Sequence, residues 1–168
     1  MTTIARNLFA TATLALVASC SPGAPSAQAG HTIDLDLTGK SKPKELGAGW
    51  SVPEGPYTWT DGHAADVNFG AVTSPAAVLT VQAAGYGGPQ DVQDVDVVAN
   101  GAKVAHWRVR TTAPASYQAQ IPEQVLQSAP TLKVQFQLPQ AQQPAPGARF
   151  LGLSVRHIMV TPAPSSGK

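Results

Sequence analysis

The sequence predicts an all-β domain, a single β-sandwich of jelly-roll-like form with at most a short helix. Three observations carry that prediction. Apolar residues recur at every second position in several short runs, the period of a half-buried strand. Clusters of Gly, Pro, Asn and Asp separate those runs at short intervals, as in sandwiches and small barrels. Helical character is confined to residues 122–128 (PEQVLQS), where proline suits a first helical turn.

The strands follow in order. Ile33, Leu35 and Leu37 alternate with Thr32, Asp34, Asp36 and Thr38, a strand with one buried face. Trp59-Thr60-Asp61-Gly62 reads as a turn that launches a second strand over residues 64–69 (AADVNF). Residues 77–83 (AVLTVQA) form a third, stopped by Gly85-Tyr86-Gly87-Gly88-Pro89. Residues 92–99 and 103–109 flank Asn100-Gly101, which supplies the positive φ angles of a type I′ hairpin. Residues 116–121 turn Tyr117, Ala119 and Ile121 inward. Over residues 131–138, Leu132, Val134, Phe136 and Leu138 face one way and Thr131, Lys133, Gln135 and Gln137 the other. Proline-rich residues 140–147 (QAQQPAPG) form a surface loop. The last strand, residues 151–160 (LGLSVRHIMV), loses its alternation after Val155. Leu153 and Val155 share a face with Ile158 and Val160 only if Arg156-His157 forms a bulge.

The N-terminus reads as a targeting segment rather than as part of the fold. Arg6 precedes an uncharged apolar run, residues 8–18 (LFATATLALVA), too short to span a bilayer. The run leads through Leu16-Val17-Ala18-Ser19 into Cys20, the only cysteine. This arrangement resembles the lipobox of bacterial lipoproteins. The resemblance implies a signal peptide over residues 1–19, lipidation of Cys20, a flexible tether over residues 20–30 and a periplasmic domain held to the membrane by its lipid. Ser21, where aspartate would signal inner-membrane retention, points to the outer membrane. The alternative is a secretory signal cut near Ala27 or Ala29, which discards Cys20. The domain then occupies residues 31–162, followed by a loose tail over residues 163–168.

Without Arg6 the chain carries ten basic and ten acidic residues. Lys40, Lys42 and Lys44 cluster without interleaved aromatics, so no nucleic-acid partner is expected. No catalytic motif is present: no GxSxG elbow, no HExxH and no phosphate-cradling glycine loop, and no cofactor is expected. His63 lies near Asp61 and Asp66, which reads as a turn with Asp61-Gly62 at its corner or as a divalent-metal site; no metal is expected. Asp94 and Asp96 share one face of a strand and read as a solvated sheet surface. Glu54 and Asp61 would make a hydrolytic acid pair only if they converged across a cleft.

A further set of motifs spans residues 49–160. Gly49-Trp50, Pro53-Glu54-Gly55 and Trp59-Thr60-Asp61-Gly62 open it. Residues 93–101 (QDVDVVANG) and Trp107 follow, and Arg149-Phe150-Leu151-Gly152-Leu153 closes it. Together they resemble a small β-sandwich module of bacterial envelope proteins, found C-terminal to membrane glycosyltransferases and similar to galactose-binding-like jelly rolls. That module often carries an aspartate two places before the arginine, where this chain has Gly147; Glu54 is then the candidate partner of Arg149. The resemblance implies contact with a glycan. Sugars present apolar C–H faces ringed by hydroxyls, so aromatic rings beside planar polar groups suit them. Trp50, Tyr57 and Trp59 are candidate rings; Glu54, Asp61, Gln93 and Arg149 are candidate hydrogen-bonding groups. Each ring is equally a candidate for the core. If a sugar is contacted here, the rigid loop Pro53-Glu54-Gly55-Pro56 is expected to present Trp50 and Tyr57 to it, while Trp59, just before a turn and a strand, is expected in the core; Trp107 is open between core and exposed platform. The functional expectation is a non-enzymatic, lipid-anchored envelope protein that binds polysaccharide or assists exopolysaccharide assembly. The alternative is a structural subunit that docks on an envelope protein partner without binding sugar.

Overall fold

The computed structural model describes residues 30–87, 91–111 and 113–164. The signal segment, Cys20 and nearly all of the tether lie outside the described residues, as does the end of the tail. The domain is a sandwich of two antiparallel sheets. Its elements run β1 (Ile33–Asp36), β2 (Thr58–Asp61), β3 (Ala64–Asn68), β4 (Ala77–Gly85), β5 (Val92–Ala99), β6 (Ala102–Arg110) and β7 (Ala115–Ile121). After these come α1 (Glu123–Leu126), β8 (Lys133–Gln137) and β9 (Leu151–Pro162). One sheet has the order β1-β9-β4-β7, with β2 also paired to β9; the other is β3-β8-β5-β6. Strand β9 is long enough to pair with β2 through Leu151–Val155 and with β1 through His157–Val160, end to end along one edge.

The bulge in β9 is present. Gln82 opposes His157 but Ala83 opposes Val155, so Arg156 is the extra residue. It restores phase, and Leu153, Val155, Ile158 and Val160 are all buried. The Asn100-Gly101 turn has φ of 44° and 85°, as a type I′ turn requires. Asn100 also ties the turn to its neighbours. Its Nδ2 donates to the Val125 carbonyl at 3.0 Å, and its Oδ1 accepts the Lys133 N–H at 2.8 Å.

Two elements differ from the sequence reading. Trp59-Thr60-Asp61 is strand β2 rather than turn, and the chain turns at Gly62, with φ of 102°, and His63. The helix is a single turn, with Pro122 as its N-cap residue rather than inside it.

The core fills the space between the sheets. Leu79, Val81, Ile121, Leu153 and Ile158 meet Val67, Val95, Val97, Val134, Phe136 and Leu138 there, all essentially inaccessible. Phe136 stands at the centre, with Trp50 edge-on at 6.3 Å and Trp107 at 6.0 Å between ring centroids. Both indoles are buried with their N–H groups satisfied: Trp50 Nε1 donates to the Asp66 carbonyl at 2.8 Å and Trp107 Nε1 to the Gln118 carbonyl at 2.9 Å. Trp107 is therefore a core residue. Gln93 is also fully buried, which removes it from any sugar contact, and its Oε1 has no partner among the described residues. An orphan of this kind costs about 1–3 kcal/mol.

Candidate functional site

The stretch from Gly49 to Asp61 builds the site. Gly49 has φ of 76°, and a Cβ there would lie 1.9 Å from the Ala64 carbonyl oxygen, so only glycine fits. The close approach lets residues 49–51 run beside β2. The Asp61 N–H donates to the Gly49 carbonyl at 2.8 Å and the Ser51 N–H to the Trp59 carbonyl at 3.0 Å. Trp50 is thereby aligned with Thr60. The chain then reverses through a turn in which the Glu54 N–H donates to the Tyr57 carbonyl at 2.9 Å.

Alternation along β2 separates two faces. Thr58 and Thr60 point inward and are fully buried. The Thr58 hydroxyl donates to the Leu37 carbonyl at 2.8 Å, and the Thr60 Oγ1 accepts the Leu153 N–H at 2.8 Å. Tyr57, Trp59 and Asp61 consequently lie on the outer face. Trp59 opposes Ser154, which opposes Ala84. Two residues beyond Ala84, Tyr86 comes out on the same face, its N–H donating to the Gly152 carbonyl at 2.7 Å.

Three strands thus set Tyr57, Trp59 and Tyr86 side by side over the small, buried Ser154 and Ala84. Trp59 stands between the tyrosines, 5.3 Å from Tyr57 and 5.6 Å from Tyr86, at interplanar angles of 73° and 88°. All three rings are half-buried. Their polar atoms distinguish them from the other tryptophans and the other tyrosine. Trp50, Trp107 and Tyr117 each spend their N–H or hydroxyl on a backbone partner. Among the described residues, the Trp59 N–H and the Tyr57 and Tyr86 hydroxyls have no side-chain or backbone partner. A patch of apolar rings with free polar tips is suited to a ligand that is itself apolar on its faces and hydroxylated at its rim.

Charged groups sit at both ends of the segment that carries Tyr57 and Trp59. Arg149 Nη2 donates to Glu54 Oε1, the partner expected from the sequence, and each side chain is about a third exposed (36% and 38%). Asp61 is exposed at the end of β2. Beyond it, the exposed Phe150 ring lies 4.7 Å from His63, and Val52 is 72% exposed on the loop before the turn.

The sequence reading of the rings is therefore reversed at two positions. Trp50, expected at the surface, is buried against Phe136, because its alignment with inward-facing Thr60 points it into the core. Trp59, expected in the core, stands in the exposed patch, because it is one residue out of phase with Thr60. Tyr57 stands beside Trp59, Asp61 follows it on the same strand, and Glu54, in the turn before Tyr57, pairs with Arg149. Tyr86 was missed. Its only signal is an aromatic isolated among glycines just after a strand, and what makes it a neighbour of Trp59 is the β2-β9-β4 order.

Other candidate clusters are occupied otherwise. The His63 ring lies 3.2 Å from the Leu138 carbonyl, whereas the Asp66 carboxylate is held by Lys133 at 2.9 Å and Gln135 at 2.8 Å. Among the described residues, no three His, Cys, Asp or Glu side chains are grouped to hold a metal. Asp94 and Asp96 lie on the outer face of the four-stranded sheet. Asp96 pairs with Lys103 at 2.7 Å and with His106 at 2.6 Å, and Asp94 lies 3.8 Å from Arg108.

Burial raises the Asp66 carboxyl, but hydrogen bonds from Lys133 and Gln135 outweigh it and hold the group below the usual carboxylate range. A depressed folded-state value contributes stability that is present above the unfolded pKa and lost as pH falls through the folded one. Asp66→Asn is expected to lose less stability than the parent between about pH 5 and pH 2. Denaturant midpoints across that range measure it, and parallel curves for the two proteins would contradict it.

No protein-family profile matches the chain, and no curated protein sequence matches it. Solved structures do. The CBM36-1 domain of a multidomain xylanase from the hindgut metagenome of Trinervitermes trinervoides superposes with a TM-score of 0.53 at 9% identity, covering 80% of this chain and 99% of that one. The CBM22-1 xylan-binding domain from Paenibacillus barcinonensis Xyn10C gives a TM-score of 0.52 at 13% identity, covering 83% and 100%. The chain has the β-sandwich fold of these carbohydrate-binding modules.

Proposed function

We propose that this chain is a non-catalytic glycan-binding protein of the bacterial envelope, and that its contact surface is the aromatic patch of Tyr57, Trp59 and Tyr86. The observation that carries the proposal is the patch itself: three half-buried rings whose polar tips have no partner among the described residues, gathered on one sheet face around β2, β9 and β4. The fold it shares with carbohydrate-binding modules supports this reading. Glu54, Arg149 and Asp61 sit at the ends of the segment that carries Tyr57 and Trp59 and supply planar hydrogen-bonding groups. In the cell the domain is tethered through lipidated Cys20, on the periplasmic side of the outer membrane, as an accessory to exopolysaccharide or envelope assembly.

Affinity gel electrophoresis through xylan, mannan and β-glucan tests the binding. The purified domain is expected to be retarded by at least one, and equal mobility in every gel would contradict the proposal. The anchor has a separate test. Cys20→Ala is expected to move the protein from the membrane to the soluble fraction, and persistent membrane association would overturn the lipid anchor.

A second reading rests on Val52, in the loop before Tyr57, and Phe150, beside His63, which are exposed apolar side chains. They suit a protein partner, with the sandwich as a docking subunit. Crosslinking from native membranes that yields one stoichiometric protein, without any sugar affinity, would favour it.

A further inference from the structure

We infer that Arg156 is a ligand-contacting cation of the aromatic patch, and that the patch prefers glycans carrying a carboxylate. This rests on the glycan reading of the patch and adds a substrate class to it. Arg156 is the extra residue of the β9 bulge. Val155 before the bulge and Ile158 after it both face the core. Arg156 and His157, between them, are therefore both turned to the outer face, and both are half-buried. Val155 opposes Thr58, which puts Arg156 in register with Tyr57. The backbone is pinned there, the Arg156 carbonyl accepting the Leu37 N–H at 2.7 Å. The bulge thus delivers a guanidinium to the sheet face of Tyr57, Trp59 and Tyr86, at its Tyr57 end.

That guanidinium has no ion-pair or hydrogen-bond partner among the described residues. The charges around it are mostly engaged. Arg149 is bound to Glu54. Along β9, Arg156 stands between the half paired with β2 and the half paired with β1, so Asp34 and Asp36 lie on the side away from the rings. His157 lies 3.8 Å from Asp34 and 3.9 Å from Asp36. Asp36 also accepts the N–H and the hydroxyl of Thr38, at 2.8 and 2.6 Å. Asp61 is at the far end of β2. Lys42 donates to the Gly47 and Trp50 carbonyls, both at 3.3 Å. Lys40 is a further exposed cation, beside the Gly39 that bridges to Gly55. A sugar lying on the rings turns its rim to the groups around them. A uronate carries at that rim the planar acceptor that a guanidinium fork matches in two parallel hydrogen bonds.

Retardation of the parent and of Arg156 variants, each relative to a ligand-free gel, is compared at low salt and mildly alkaline pH. Arabinoxylan is set against glucuronoxylan, hydroxyethyl against carboxymethyl cellulose, and methyl-esterified against de-esterified homogalacturonan. The parent is expected to prefer the acidic member of each pair it binds. In Arg156→Gln the acidic-to-neutral affinity ratio is expected to fall by about fivefold, the upper range for one partly exposed ion pair. Arg156→Lys keeps the charge without the fork and should lose part of the preference; it carries the test if a thermal scan shows the glutamine variant unfolded. Lys40→Gln removes an equal charge and should leave the ratio in place. A parent that prefers the neutral member, a ratio unchanged in both Arg156 variants, or an equal fall in Lys40→Gln overturns the role of Arg156 and leaves glycan binding standing. No retardation of the parent in any gel overturns the glycan reading itself, and the preference with it.

Discussion

Trp59→Ala is expected to abolish retention on polysaccharide while leaving the domain folded. The indole is the middle ring of the patch and touches both tyrosines, so its removal takes away the platform and the support of its neighbours at once. A sugar face laid on an indole covers roughly 100 Å² of apolar surface, worth about 2–3 kcal/mol. That corresponds to a loss of roughly 30- to 150-fold in affinity. The stability cost is smaller, about 1 kcal/mol, because the ring is only half-buried and lies outside the core. Affinity electrophoresis read beside a thermal scan separates the two effects. Retention equal to the parent's, in a folded Trp59→Ala variant, would remove Trp59 from the site.

The largest loss of stability is expected at Gly49. Alanine there must adopt φ of 76° and place its Cβ against the Ala64 backbone, which no side-chain rotation relieves. The left-handed conformation alone costs about 1–2 kcal/mol. Displacing the backbone costs more, because residues 49–51 hydrogen-bond to β2 and carry Trp50 into the core. The total is expected to be at least ~3 kcal/mol, or about 10 °C in the thermal midpoint. Gly39 is the control: its φ is 114°, but nothing lies within 4 Å of a Cβ added there. Gly39→Ala should show the conformational cost alone. Equal midpoints for Gly49→Ala and Gly39→Ala in calorimetry would contradict the steric argument.

The strands of the sandwich were legible because each has one face in the core and one in water, and period two in sequence records that directly. The bulge at Arg156 was legible for the same reason: a phase slip between Val155 and Ile158 has few other physical solutions. Strand β2 was obscured because its inward residues are Thr58 and Thr60. They satisfy their hydroxyls on Leu37 and Leu153, so a buried face was written in polar letters. That one substitution of chemistry inverted the roles of Trp50 and Trp59. The Glu54–Arg149 pair was legible as a candidate, but its exposure was not. Tyr86 joins Trp59 only through the register of β2 on β9 and of β9 on β4, a long-range property that no local pattern encodes.

The central claim is that a glycan sits on Trp59, and the indole N–H signals of a ¹H–¹⁵N spectrum test it most directly. The three tryptophans should give three such peaks. Those of Trp50 and Trp107 belong to buried groups bonded to the Asp66 and Gln118 carbonyls; that of Trp59 belongs to the exposed patch. On titration with xylo-, manno- and gluco-oligosaccharides, the Trp59 peak, assigned by its absence in Trp59→Phe, is predicted to shift saturably while the other two stay in place. A Trp59 peak that does not move with an oligosaccharide whose parent polysaccharide retards the domain would place the binding surface elsewhere and contradict the account.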